Sequence, residues 1–118
     1  MLQGFGDEIN RVRVENGQHP LIQDPLVDMH AQEWSTVMAE CGKLWHGNHE
    51  MRFHRFWPDR LAAENIAMGY PSVEAVVAGW MADRAHRYNL LHDQWSVVGV
   101  GLARAEDSTP YWCAQFVE

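Results

Sequence analysis

Histidines and acids are the side chains of this chain best suited to chemistry. Three of the seven histidines, His46, His49 and His54, fall within residues 43–63 beside Trp45 and Trp57. Neutral imidazole nitrogens ligate divalent metals and move protons near neutral pH. The run His49-Glu50-x-x-x-His54 approaches a zinc-protease pattern, but that pattern needs histidines four apart on one helical face, and these are five apart. His49 and His54 therefore read as solvated loop residues at the border of a site. His30 reads as a packing residue with its hydrogen bonds satisfied, and His19 and His92 have no partner visible in the sequence. Ser35, Ser72, Ser96 and Ser108 fit surface, cap or turn positions better than a nucleophile beside a base, and no Gly-x-Ser-x-Gly elbow occurs. Gly99 and Gly101 alternate in a β-rich run, which suits close packing of an aromatic such as Trp112 or Phe116 better than a phosphate cradle. Cys41 and Cys113 leave two readings open. A disulfide between them would close a long loop and contribute roughly 4 kcal/mol; the other reading is two buried free thiols.

These residues need elements to hold them. At 118 residues, 47% hydrophobic and with six tryptophans, the chain can bury one sizeable core, so one domain over residues 1–118 is expected. Acids outnumber bases sixteen to nine for a net charge of −7, which argues against nucleic-acid and anionic-membrane partners. No apolar run approaches the roughly 18 residues of a transmembrane helix, and Met1 is followed by a polar, glycine-bearing stretch, so neither a span nor a secretion leader is expected.

Residues 5–16 read as a short helix capped by Asp7 and stopped by Gly17. A second helix runs from Asp24 as N-cap, through Pro25 at its first position, to Gly42 after its end. Its apolar stripe is Val27, Ala31, Trp34, Met38 and Cys41. Residues 43–63 lack a sustained period and read as an irregular loop. Glu64 to Met68 form a short strand, a third helix starts at Ser72, and Asp83 caps a further turn carrying His86. Residues 96–103 and 111–117 are β-rich and separated by a turn through Asp107 to Pro110, which reads as an antiparallel hairpin. Helices first and a hairpin last predict an α+β class.

The order of landmarks resembles the bacterial branch of the CAP superfamily, the cysteine-rich secretory proteins, antigen 5 and pathogenesis-related proteins. The resemblance rests on Asn10-x-x-Arg13-x-x-x-Gly17-x-x-Pro20-Leu21-x-x-Asp24, on Leu44-x-His46, and on Glu64-Asn65-Ile66-Ala67, where Ala63 replaces the usual glycine. It continues through Trp80-Met81-x-Asp83-x-x-His86-Arg87-x-Asn89-Leu90-Leu91, Val98-Gly99-Val100-Gly101 and Tyr111-Trp112-x-x-x-Phe116. It implies an α-β-α sandwich with a small central antiparallel sheet flanked by helices, and a cleft lined by two histidines and two acids.

On that resemblance the cleft histidines are His46 and His86, and Glu64 is the first acid. Asp83 stands near the second, where many bacterial members have serine, and reads better as an N-cap of the turn carrying His86 than as a catalytic acid. A divalent metal such as zinc would take His46 and His86 as ligands; the other reading is a satisfied hydrogen-bond network joining them to Glu64. The resemblance implies a non-catalytic binding module of cell-surface or extracellular type, taking a lipid or other small apolar molecule, or a protein partner. One alternative is a metal-assisted hydrolase of peptide or cell-wall material. Another is a structural component of a virion, prompted by the missing leader.

Overall fold

The computed structural model describes residues 3–118; Met1 and Leu2, the start of the expected domain, lie outside the described residues. The elements run α1 (Gln3–Glu15), β1 (Ile22–Gln23), α2 (Pro25–Cys41), α3 (His49–Phe56), β2 (Ala62–Met68), α4 (Val73–Met81), α5 (Arg84–Leu91), β3 (Val97–Arg104) and β4 (Pro110–Val117). The strands form one sheet in the order β1-β3-β4-β2.

The local signals for α2 act as expected. Asp24 accepts from Leu26 N at 2.8 Å and Val27 N at 3.3 Å, Pro25 opens the helix, and Gly42 closes it at φ 61°, a left-handed conformation suited to glycine. Ser72 caps α4 and Asp83 caps α5 through single side-chain bonds to Ala75 N and His86 N. Asp7, in contrast, lies inside α1, which begins at Gln3, so it caps nothing.

Strand alternation sorts the core into two layers. Trp112, Ala114 and Phe116 on β4 and Ala67 on β2 face α1, α4 and α5, where Phe5, Ile9, Val76, Trp80 and Leu90 pack. Cys113 and Ile66 face α2, with Ala31, Trp34 and Met38. The result is the α-β-α sandwich of an α+β fold. β4 is buried along its whole length because both of its faces are covered, which is why its sequence does not alternate.

The sheet differs from a purely antiparallel one. β1 pairs in parallel with β3, Ile22 opposite Val97 and Gln23 opposite Val98, and two residues carry no periodic signal of their own. Past this short strand the outer edge of β3 would be left unpaired, and α2 side chains complete it. Asp28 Oδ1 accepts from Val100 N at 2.9 Å, and Gln32 accepts from Leu102 N at 3.0 Å while donating to Leu102 O at 2.8 Å. This requires α2 to lie almost on the β3 backbone. A Cβ on Gly99 would sit 2.2 Å from Val27 C, and one on Gly101 2.6 Å from the Gln32 Cα. The two glycines therefore make room for helix backbone, and not for Trp112 or Phe116, whose rings lie on the opposite face.

Among the described residues no helix is long and apolar enough to cross a membrane. Cys41 is an exposed free thiol at the end of α2, and Cys113 is a buried free thiol in mid-sheet. The Cys41–Cys113 disulfide is therefore not formed, and of the two-thiol reading only Cys113 is buried.

Candidate functional site

The site grows from one row of the sheet. Glu64 on β2 lies opposite Gln115 on β4, and Gln115 lies opposite Gly99 on β3. Because Gly99 lets α2 approach, His30 reaches down to this row, and its Nδ1 lies 2.7 Å from Gln115 Oε1. Gln115 Nε2 donates to Glu64 Oε1 at 2.9 Å, a bond that cross-strand pairing makes local.

The segment after α2 brings the other partners. Trp34 Nε1 donates to Trp45 O at 2.9 Å, and Gly47, at φ 61°, turns the chain where a Cβ would meet the Trp34 ring at 2.7 Å. This places His46 Nδ1 2.8 Å from Glu64 Oε2. Residues 49–56 then form α3 where the sequence suggested an irregular loop. From α3, Arg52 Nη2 donates to Glu64 Oε2 at 3.0 Å and to His46 O at 2.7 Å, with its guanidinium 3.9 Å from the Trp34 ring centroid. The Glu64 side chain is 0% exposed, whereas His46 keeps 41% of its side chain in solvent.

Burial by itself would raise the Glu64 carboxyl, but the His46 hydrogen bond, the Arg52 charge and the bonds from Arg52 and Gln115 outweigh it and hold the group below its ordinary value. Cys113 donates to Glu64 Oε1 at 3.5 Å; burial first, and the Glu64 charge second, push its thiol well above the ordinary range. Glu64 is thus an anion whose donors are all side chains.

Asn65, next along β2, faces the opposite layer. It donates to His86 O at 3.0 Å and accepts from Asn89 at 3.0 Å, pinning α5 against the strand. His86 Nδ1 lies 2.9 Å from Asp83 Oδ2. The four sequence candidates therefore form two pairs, His46 with Glu64 and Asp83 with His86, and among the described residues no side-chain hydrogen bond joins one pair to the other. In both pairs a carboxylate holds Nδ1 and leaves Nε2 free, the usual support for a ligating imidazole. Among the described residues, however, no three His, Cys, Asp or Glu side chains come together as a metal-donor set, so a divalent metal would rest on the two imidazoles alone.

Arg52, Gln115 and His30 were not read from the sequence as site residues. A glutamine inside the apolar run of β4 was the available signal; Arg52 offered none, because the orientation of α3 depends on contacts distant in sequence. Asn10 and Arg13 of the first motif serve the scaffold. Asn10 bonds both backbone groups of Leu21, and buried Arg13 donates to Leu90 O at 2.7 Å, His92 O at 2.9 Å and His19 O at 2.9 Å. His19 meets Trp95 O at 2.8 Å, the His49 ring lies tilted beside His46 with centroids 5.4 Å apart, and His54 is exposed on α3.

The architecture is similar to that of known proteins. An outer surface protein of Borrelia burgdorferi superposes with a TM-score of 0.88 at 19% identity, covering 98% of this chain and 90% of that one. An extracellular protein containing a SCP domain from Bacillus anthracis superposes with a TM-score of 0.83 at 27% identity, over 99% of this chain and 40% of that one. YkwD of Bacillus subtilis is 38% identical over 58 residues, 49% of this chain and 21% of that protein. The chain thus spans about a fifth of YkwD and two fifths of the Bacillus anthracis protein. The family model of the cysteine-rich secretory proteins matches residues 7–116. With that match over almost its whole length, the chain belongs to the cysteine-rich secretory protein (CAP) family.

Proposed function

We propose that this chain is a non-catalytic binding module of cell-surface or extracellular type, which takes a small apolar ligand or a protein partner at His46, Glu64, Asp83 and His86. The observation that supports this reading is the state of Glu64. A general base must be accessible and titrate near the working pH. Glu64 has no exposed side-chain surface, its oxygens are occupied by His46, Arg52, Gln115 and Cys113, and its carboxyl is held low. Such a carboxylate positions His46 and does not take protons from a substrate. The groups left to meet a ligand are the outer nitrogens of His46 and His86.

Titration with a fluorescent apolar probe such as anilinonaphthalene sulfonate tests the reading. His46→Ala and His86→Ala are expected to weaken probe binding several-fold each; unchanged binding in the double variant overturns it. A metal-assisted hydrolase is the second reading, favoured by the carboxylate-supported Nδ1 of both histidines. It requires zinc binding in calorimetry that both substitutions abolish, together with cleavage of peptide or cell-wall material.

A further inference from the structure

A groove of ≈ 200 Å³ runs between α2 and α3. Trp34, Val37 and Phe56 supply its apolar lining, and His30, Glu33, Arg52 and Arg55 its polar groups, with Nε and Nη1 of Arg52 buried and unpaired among the described residues. His30 is 7% exposed and stands among the rings of Phe53, Phe56 and Trp57 at centroid distances of 5.5, 5.1 and 5.2 Å.

The hydrogen-bond chain assigns the His30 tautomer. An ionised Glu64 only accepts, so Gln115 must turn its NH2 toward it and its carbonyl oxygen toward His30. Two acceptors cannot bond, so Nδ1 carries a proton, and in that tautomer of the ring Nε2 is the lone pair that faces a ligand. Nε2 has no hydrogen-bond partner among the described residues, and neither does the side chain of Glu33 or Arg55.

These groups describe a ligand. The volume admits one ring with a short tail. The lining favours an aromatic face, and Nε2 calls for a donor at the ring's end. Glu33 and Arg55 cancel in charge and suit a tail with both an amine and a carbonyl. A plain hydrocarbon chain would leave His30 Nε2 and the buried Arg52 donors unpaired.

We propose that the α2–α3 groove binds a single phenolic ring of tyrosine type, its hydroxyl donating to His30 Nε2 and its polar tail held by Glu33 and Arg55. The site uses neither the His46 nor the His86 side chain and meets the Glu64 network at Arg52 and, through Gln115, at His30.

The test is NMR titration of the histidine ring nitrogens with L-tyrosinamide, L-phenylalaninamide and the tripeptide Gly-Tyr-Gly. L-tyrosinamide is expected to shift the His30 Nε2 resonance saturably, and L-phenylalaninamide to bind about tenfold more weakly, the worth of one hydrogen bond. Val37→Phe narrows the groove from a position that makes no hydrogen bond to Glu64 and should abolish binding. His30→Phe should remove the preference for the hydroxyl, and Val37→Phe carries the test if His30→Phe fails to fold. Binding of Gly-Tyr-Gly as well assigns the site to tyrosine within a peptide; binding of L-tyrosinamide alone assigns it to a free aromatic amine. No shift at millimolar L-tyrosinamide, equal binding of the two amides, or unchanged affinity in Val37→Phe overturns the proposal.

Discussion

Arg52 Nη2 lies 3.0 Å from Glu64 Oε2, and this contact ties α3 to the edge strand β2. Glu64 has no exposed side-chain surface and Arg52 only 20%, so neither charge has bulk water to fall back on. Glu64→Gln removes the anion and leaves the guanidinium uncompensated. It is expected to cost about 3 kcal/mol of stability, read by urea unfolding at neutral pH.

The pH dependence of that cost follows from the lowered Glu64 carboxyl. Its folded value lies below its ordinary 4.5, so the unfolded chain binds the proton more readily. The stabilisation is complete above 4.5 and is lost as pH falls through the folded value. Unfolding curves of the wild type and Glu64→Gln should therefore converge in acid; a gap that stays constant from neutral pH down to pH about 2 would contradict the assignment.

Gly99 and Gly101 should be intolerant of any side chain, because the atoms that a Cβ meets are α2 backbone atoms that cannot rotate away. Gly101→Ala is expected to destabilise by roughly 1–3 kcal/mol through overpacking. Gly4→Ala, where nothing lies within 4 Å of the new Cβ, should be neutral or gain up to about 1 kcal/mol from helix propensity. Thermal melts of the two variants separate these outcomes.

The two cysteines should label at very different rates. Exposed Cys41 is expected to react with a maleimide in the native protein, while Cys113 reacts only on unfolding, being buried and held as a neutral thiol. Reductant should leave the melting temperature unchanged. One labelled thiol per native chain by mass spectrometry is the predicted reading.

Asp83 separates capping from binding. Its Oδ2 accepts from His86 N at 3.1 Å, so Asp83→Ala should cost about 1 kcal/mol while Asp83→Asn, which keeps the accepting oxygen, costs little. Apolar-probe binding that falls in Asp83→Asn at unchanged stability would give the carboxylate a role beyond the cap.

Several features were readable before folding because their causes are local. Asp24, Pro25 and Gly42 bound α2, and Ser72 and Asp83 start α4 and α5, each through contacts within a few residues. α3 escaped the periodicity because one of its inward side chains is the cation Arg52, so its buried face does not read as apolar. β1 escaped because two residues become a strand only where β3 receives them. Gly99 and Gly101 were correctly read as close-packing positions, but the partner was wrong: what approaches them is a helix from about seventy residues earlier in the chain.

The sequence by itself determined the family resemblance, the α+β class, the capped helices, the terminal hairpin and the candidates His46, Glu64, Asp83 and His86. Only the tertiary structure decided that these four form two hydrogen-bonded pairs, His46 with Glu64 and Asp83 with His86, that the thiols stay apart, and that Glu64 is buried among His46, Arg52 and Gln115. The physical reason is range. Caps and turns are satisfied by neighbours in the chain, whereas the environment of a buried carboxylate is assembled from three elements distant in sequence, and whether it positions a neighbour or takes a proton depends on that assembly.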